Sequence, residues 1–165
     1  MTVAASGQDQ RTRDANYQRP APAIIDSFGR ATGEDRSARF DNFFIQIQDN
    51  GGSVGYVFVY CGKLCRYGEV EAHFRGIELK TATSNISRDR LVVLHGGYRD
   101  AQEVELWLVP REAGAPIPRS TRSIRDVAFT KPTKRVLEPY DCCDDYGPYW
   151  KAFRPKPNGQ KGRAP

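Results

Sequence analysis

The residues best suited to chemistry are four cysteines, which form two clusters far apart in the chain. Cys61 lies close to Cys65, and Cys142 is next to Cys143. An even number of cysteines in two distant clusters favours disulfides that join the clusters and hold the C-terminal region against the middle of the chain. We predict that Cys61 and Cys65 pair with Cys142 and Cys143. Free thiols and a metal site are the alternatives at this point.

A zinc site built from the same four thiols is disfavoured by their spacing. The adjacent Cys142 and Cys143 cannot easily supply two ligands to one tetrahedron, because structural sites separate the two cysteines of each pair. Three residues separate the other two cysteines, so the sequence has no redox C-x-x-C motif. Three carboxylates could bind calcium, but their spacing matches no EF-hand loop and favours a turn. They are Asp141, Asp144 and Asp145. We predict no metal ion and no cofactor.

The chain contains two histidines, His73 and His95. Either could assist a cysteine nucleophile, because such partners meet in space and not in sequence. Histidines with structural hydrogen bonds are much more common, and this interpretation is favoured. The sequence has no G-x-S-x-G, P-loop, H-E-x-x-H or G-x-G-x-x-G motif. We therefore predict no catalytic residues and no enzyme activity, and a cysteine-dependent enzyme remains an alternative.

The basic charge and most of the prolines lie in the C-terminal third of the chain. The 165 residues carry a formal net charge of +5. Residues 1–109 contain 13 Lys or Arg against 14 Asp or Glu, whereas residues 110–165 contain 12 against 6 and nine of the 11 prolines. No apolar run approaches the length of a membrane span. We predict an extended N-terminal arm over 1–22, one folded domain over 23–110 and a basic, Pro-rich tail over 111–165.

The basic residues of the tail could contact a nucleic-acid backbone, but solvated linker charge is the favoured interpretation. These residues are Arg111, Arg119, Arg122, Arg125, Lys131, Lys134 and Arg135. Residues 140–153 differ from the rest of the tail because they concentrate aromatic side chains, which are rare in disordered segments. The candidate interface residues are Tyr140, Tyr146, Tyr149, Trp150 and Phe153. We predict that this aromatic segment, 140–153, binds a neighbouring copy or another protein.

The central element is predicted to be the strand Val54–Cys61. It has no charged residue, and both of its alternating sets of side chains are apolar. A strand with one face in water would alternate apolar with polar residues, so this strand should lie inside a sheet that is covered on both faces. We also predict that Phe43 and Phe58 are buried between a helix and the sheet.

The other patterns predict an α+β fold in the order β-α-β-α-β-β, with two layers and a mixed sheet. Right-handed crossovers should make the first three strands parallel, and the last two strands should form a hairpin. The predicted strands are Ala23–Phe28, the central strand, Leu91–His95 and Val104–Val109. The first predicted helix follows the capping box Thr32–Asp35 and has Phe40, Phe43, Phe44 and Ile47 on one face. The second predicted helix covers Glu69–Ala82.

This order of elements, the strand–loop–helix over residues 54–77 and Arg75-Gly76 in the second helix resemble the OmpA-like domain. Weaker similarities are Asp41-Asn42 in the first helix and the segment Ile86–Leu91 before the third strand. The resemblance covers roughly residues 22–110. It implies a mixed sheet with the last strand in the interior and a domain that binds peptidoglycan.

The resemblance also implies ligand-binding residues. In the family an Asp in the loop after the second strand and an Arg in the second helix hold the two ends of diaminopimelate. Arg75 matches that Arg, but the loop here contains Lys63 and Arg66 and no Asp. A basic loop would repel the ammonium group of such a ligand. Arg75, Lys63 and Arg66 are the candidate ligand-binding residues, with peptidoglycan as a candidate ligand.

These observations predict a non-enzymatic assembly or binding subunit. We expect it to be exported to the periplasm or cell surface and to associate with itself or with another envelope protein through its tail. The first ten residues, MTVAASGQDQ, have no signal-peptide pattern as written. A peptidoglycan-binding envelope protein and a cytoplasmic nucleic-acid-binding protein are the alternatives, and nucleic acid is the less favoured partner.

Overall fold

The computed structural model describes residues 20–131 and shows an α+β fold with two helices and a mixed sheet, as predicted. The strands are β1 (Ala23–Phe28), β2 (Ser53–Cys61), β3 (Leu64–Arg66), β4 (Leu91–Tyr98), β5 (Glu103–Pro110) and β6 (Ala128–Thr130). The helices are α1 (Gly33–Asp49) and α2 (Glu69–Ala82), and short 3-10 helices cover Arg88–Arg90 and Ile124–Asp126. Within this described part of the chain, neither α-helix is long and apolar enough to cross a membrane.

The main sheet has four strands in the order β1-β5-β2-β4. β1, β2 and β4 run parallel to one another, and β5 is antiparallel to both of its neighbours. The predicted hairpin between the last two strands is therefore wrong, because β2 separates β4 from β5. Instead, the connection between β4 and β5 crosses the end of β2. The Arg99 amide donates to the Cys61 carbonyl at 2.9 Å. A Cβ atom on Gly62 would lie 2.8 Å from the Gln102 amide nitrogen.

Helix α1 begins at the predicted capping box and buries the predicted face. The Thr32 hydroxyl accepts a hydrogen bond from the Asp35 amide at 3.2 Å, which satisfies a free donor of the first turn. The four apolar residues at helical spacing are all buried: Phe40, Phe43, Phe44 and Ile47. They pack so closely on β2 that a side chain at Gly55 would collide with Ile47 and Phe43.

The central strand β2 is buried on both faces, as predicted, but only one face is covered by helices. Val57 and Val59 belong to the core beneath the helices. Phe58 is fully buried on the opposite face, where its ring centroid lies 6.4 Å from that of Trp107. Its predicted position between helix and sheet is wrong, because successive residues of a strand point to opposite faces.

The chain after β5 returns to the domain over residues 111–131. The Arg119 amide donates to the Tyr60 hydroxyl at 3.1 Å, and the Thr121 amide donates to the Tyr98 carbonyl at 2.9 Å. β6 then pairs with β3 in a second, two-stranded parallel sheet. Neither of these two short strands was predicted from the sequence. The aromatic segment 140–153 lies outside the described residues.

Candidate functional site

The loop that follows β2 is closed by a disulfide between Cys61 and Cys65. Cys61 ends β2 and Cys65 lies in β3, and their Cα atoms are 5.5 Å apart. The prediction that these two cysteines pair with Cys142 and Cys143 is therefore wrong for this cluster. The turn brings the two side chains within bonding distance locally, so neither needs a distant partner. Cys142 and Cys143 themselves lie outside the described residues.

Further contacts fix the conformation of this loop. The Glu69 carboxylate accepts a hydrogen bond from the Arg66 amide at 2.9 Å, and the Ala128 amide of β6 donates to the Lys63 carbonyl at 2.9 Å. Gly68 then turns the chain into α2 with φ at +79°, a conformation that glycine adopts at little cost. The loop is thus held at both ends before any partner binds.

The same loop contains the cluster of side chains that could hold a metal ion. The sulfur atoms of Cys61 and Cys65 and a carboxylate oxygen of Glu69 lie within 4.8 Å of one another. Thiolates and a carboxylate suit zinc, but only as deprotonated ligands. In the disulfide the sulfurs carry no negative charge, so the observed form leaves a single carboxylate ligand.

The three cations predicted to bind a ligand lie on this loop and on the helix that follows it. Lys63 is exposed and Arg66 is half-buried in the loop, whereas Arg75 is exposed on α2. Within residues 20–131, Arg75 makes no hydrogen bond or ion pair. Of the basic residues in the tail, Arg122 is paired with Asp100, which removes one cation from a surface for phosphate groups.

Aromatic side chains connect the loop to the sheet. Tyr67 stacks on Phe129 with ring centroids 5.3 Å apart, and Tyr98 meets Phe129 edge-on at 6.1 Å. His95 packs edge-on against Tyr98 at 5.2 Å. Tyr67 remains 60% exposed and Leu64 59% exposed. Local patterns could not predict this apolar surface, because Phe129, which contacts both Tyr67 and Tyr98, comes from the tail.

The two histidines do not form a catalytic pair with a cysteine in the described structure. His95 contacts Tyr98, and the cysteines of the loop are joined to each other. Burial, with a smaller effect from the positive charge of Arg36, lowers the pKa of His73 to about 4. His73 is therefore uncharged near neutral pH.

A buried polar cluster lies on the face of the sheet opposite the helices. The Tyr60 hydroxyl donates to Glu105 at 3.0 Å, and the guanidinium of Arg99 bridges Glu105 and Glu103 at 2.7 Å each. Burial raises the pKa of Tyr60. Burial alone would raise the pKa of Glu103 as well, but hydrogen bonds from Ser27 and Arg99 outweigh it and lower that pKa. The acceptors and donors satisfy one another, which indicates a structural role.

A groove separates α2 from the edge strand β4 on the helical face of the sheet. Its volume is about 700 Å³, and its apolar lining consists mainly of Phe74, Ile77, Ile86, Leu91 and Val93. The rim carries one charge of each sign, Glu78 and Arg88. No local pattern in the sequence indicates this groove, because its lining comes from α2, from β4 and from the segment that joins them.

Comparison with known proteins gives no relative from which a function could be transferred: no family model matches the chain, and neither a curated protein nor a solved structure matches it.

Proposed function

We propose that this protein is an exported, non-enzymatic assembly subunit that associates with copies of itself or with another envelope protein. The observation that carries the proposal is the edge of β4. Residues Leu91–His95 form a charge-free strand segment at the end of the described sheet, and their side chains are half-buried or exposed. Proteins usually protect such edges with charges, bulges or covering segments, because an open edge can pair with another chain.

The opposite edge of the sheet shows how this chain protects a strand. β1 has an irregular register between Ile24 and Asp26, and the Asp26 carboxylate forms an ion pair with Arg39 at 2.8 Å. A bulge and a charge both disfavour pairing with a further strand. β4 has a bulge at Gly96, but it has neither a bulge nor a charge between Leu91 and His95. The asymmetry between the two edges supports association through β4.

Export is proposed because of the disulfide in the loop after β2. Disulfides persist in oxidising compartments such as the periplasm and the cell surface, and they are rare in the cytosol. A thiol count on the denatured protein, purified from its native compartment without reductant and with free thiols blocked at lysis, tests this part. Blocked Cys61 and Cys65 in a mass map would contradict export.

Sedimentation velocity over a range of concentrations tests the association. We expect the full chain to sediment as a species larger than the monomer at high micromolar concentration and as a monomer at low concentration. Deletion of residues 140–165 should leave a folded monomer, since the aromatic segment is the proposed contact. A full chain that stays monomeric at every concentration would refute the assembly function.

Peptidoglycan binding is a second candidate function. It is supported by the position of β5 between β1 and β2, which is the arrangement implied by the resemblance to the OmpA-like domain. Arg75 is also exposed on α2, where the resemblance places the ligand-binding Arg. Purified cell-wall sacculi should then retain the protein, and Arg75→Ala should abolish the retention while Arg88→Ala does not. Equal retention of both variants, or no retention of the wild type, would exclude this function.

A further inference from the structure

The groove between α2 and β4 is open, partly apolar and large enough to receive side chains of a partner. Its volume of about 700 Å³ falls within the range of roughly 300–1,000 Å³ that is typical of ligand pockets. Ile77 and Ile86 are buried at its base, and Phe74, Leu91 and Val93 are only partly buried around it. An apolar group of a partner could therefore cover side chains that water now contacts, which is a favourable change.

One wall of this groove is an unpaired strand edge. β4 pairs with β2 on one side, and among residues 20–131 no strand pairs with its other side. The chain itself covers only the end of that edge: Tyr98 forms a bridge with Arg122, and the Ser120 hydroxyl contacts the Tyr98 amide and carbonyl. The Leu91 amide donates to the Arg88 carbonyl. From Val92 to Leu94 no described strand pairs with the outer side of β4, so the outward-facing main-chain groups there can bond a partner. Grooves between a helix and an edge strand bind peptides through both backbone and side-chain contacts.

The chain offers an occupant of suitable chemistry. It continues for 34 residues beyond Lys131, and the aromatic segment 140–153 contains Tyr146, Tyr149, Trp150 and Phe153. Aromatic side chains are the groups that most often anchor a partner in an apolar pocket. β6 ends beside the start of α2, where the Thr130 carbonyl accepts a hydrogen bond from the Tyr67 amide. The last described residues therefore lie beside the start of α2, the helix that forms one wall of the groove.

We propose that the groove between α2 and β4 binds the aromatic segment 140–153 of a neighbouring copy. The inference rests on the proposed assembly function and specifies its two contact surfaces. Each copy then contributes one segment and one groove. Such a head-to-tail contact produces either a closed ring, in which every segment and groove is used, or an open filament with a free segment at one end and a free groove at the other.

Complementation between two defective full-length chains tests this arrangement. Both carry Cys142→Ser and Cys143→Ser, so that covalent links between copies do not contribute. One chain has a defective segment, Trp150→Ala with Phe153→Ala. The other has a blocked groove, either Val93→Lys or, at the exposed position Ala82 on the groove wall, Ala82→Trp. The matched control is Leu94→Lys, which adds the same charge to the next residue of β4 on the opposite face of the sheet.

Sedimentation of these chains distinguishes the outcomes, with thermal unfolding as the check that each variant is folded. We expect each defective chain to associate at least about tenfold more weakly than the wild type. Leu94→Lys should associate as strongly as the wild type. A mixture of the two defective chains should form a one-to-one heterodimer, because one intact segment meets one intact groove.

Other results would overturn the inference. If both groove variants assemble like the wild type, the groove is not the receiving surface although the assembly function stands. If Leu94→Lys is as defective as Val93→Lys, the whole edge pairs and the groove is not specific. If the wild type is monomeric and a groove variant only makes the segment more sensitive to protease, the segment binds its own groove. A monomeric wild type without that change refutes the assembly function itself.

Discussion

The hydroxyl of Tyr60 lies 3.0 Å from a carboxylate oxygen of Glu105 and donates a hydrogen bond to it on the face of the sheet opposite the helices. The same hydroxyl accepts a hydrogen bond from the Arg119 amide at 3.1 Å. One phenol group therefore connects the central strand both to β5 and to the segment that follows it. In addition, the guanidinium of Arg99 lies 3.5 Å from the centre of the Tyr60 ring, a cation–π contact in a largely dry environment.

Loss of the Tyr60 hydroxyl should destabilise the protein measurably. Tyr60→Phe leaves a buried carboxylate and a backbone amide each short of one partner, which costs about 1–3 kcal/mol in the free energy of unfolding. Urea denaturation measures the difference. Tyr56→Phe is the matched control, since Tyr56 is on the same strand and face but makes no hydrogen bond within the described residues. Equal stability of both variants would show that solvent replaces the lost bonds.

Substitution of either phenylalanine of the predicted core should lower the free energy of unfolding by a similar amount, although the two lie on opposite faces of the sheet. Phe43 and Phe58 are both fully buried. Phe43→Ala and Phe58→Ala should each lower the free energy of unfolding by about 3–5 kcal/mol through lost burial and the cavity left behind. Ile45→Ala, at an exposed position of α1, is the control and should change it by less than about 1 kcal/mol. A small loss at Phe58 would mean that the face opposite the helices is only loosely packed.

Local patterns in the sequence predicted most helices and strands. β1 and α2 have the predicted bounds, Ala23–Phe28 and Glu69–Ala82, because hydrophobic spacing and terminal signals act within a few residues. The neighbours of each strand could not be read in the same way. β5 would have the same alternating pattern beside β4 as it has between β1 and β2. Its observed position depends on the connection between β4 and β5, which passes close to Gly62 at the end of β2.

The candidate sites were less predictable because their parts are distant in sequence. The disulfide follows from the turn between β2 and the three-residue strand β3, and such short strands have no periodic signal of their own. The three-residue gap between Cys61 and Cys65 was the available clue to a local bond. Glu103 and Glu105 alternate with apolar residues on β5, but nothing local indicates that Arg99 neutralises them.

The crossing after β2 gives a test of the strand order. A methyl group at residue 62 would lie 2.8 Å from the Gln102 amide nitrogen, closer than real Cβ atoms approach such an atom. Gly62→Ala should therefore shift the backbone and lower the free energy of unfolding by about 1–3 kcal/mol. Gly114→Ala is the control, because a methyl group there meets no atom within 4 Å. If Gly62→Ala is as stable as Gly114→Ala, the connection does not pass so close to the end of β2.

The buried histidine predicts a specific dependence of stability on pH. Burial lowers the pKa of His73 to about 4 in the folded protein, whereas an unfolded histidine titrates near 6.5. As the pH falls below about 6.5, His73 is protonated in the unfolded chain but stays neutral in the folded protein. The free energy of unfolding therefore decreases until the pH reaches the folded pKa. The loss should reach roughly 2 kcal/mol, allowing for the partial exposure of the ring. Urea denaturation between pH 7 and pH 4 measures this loss of stability.

His73→Gln should remove this component of the pH dependence, whereas His95→Gln, at an exposed position of β4, should retain it. An unchanged pH profile in His73→Gln would show that His73 accepts its proton as readily in the fold as in the unfolded chain.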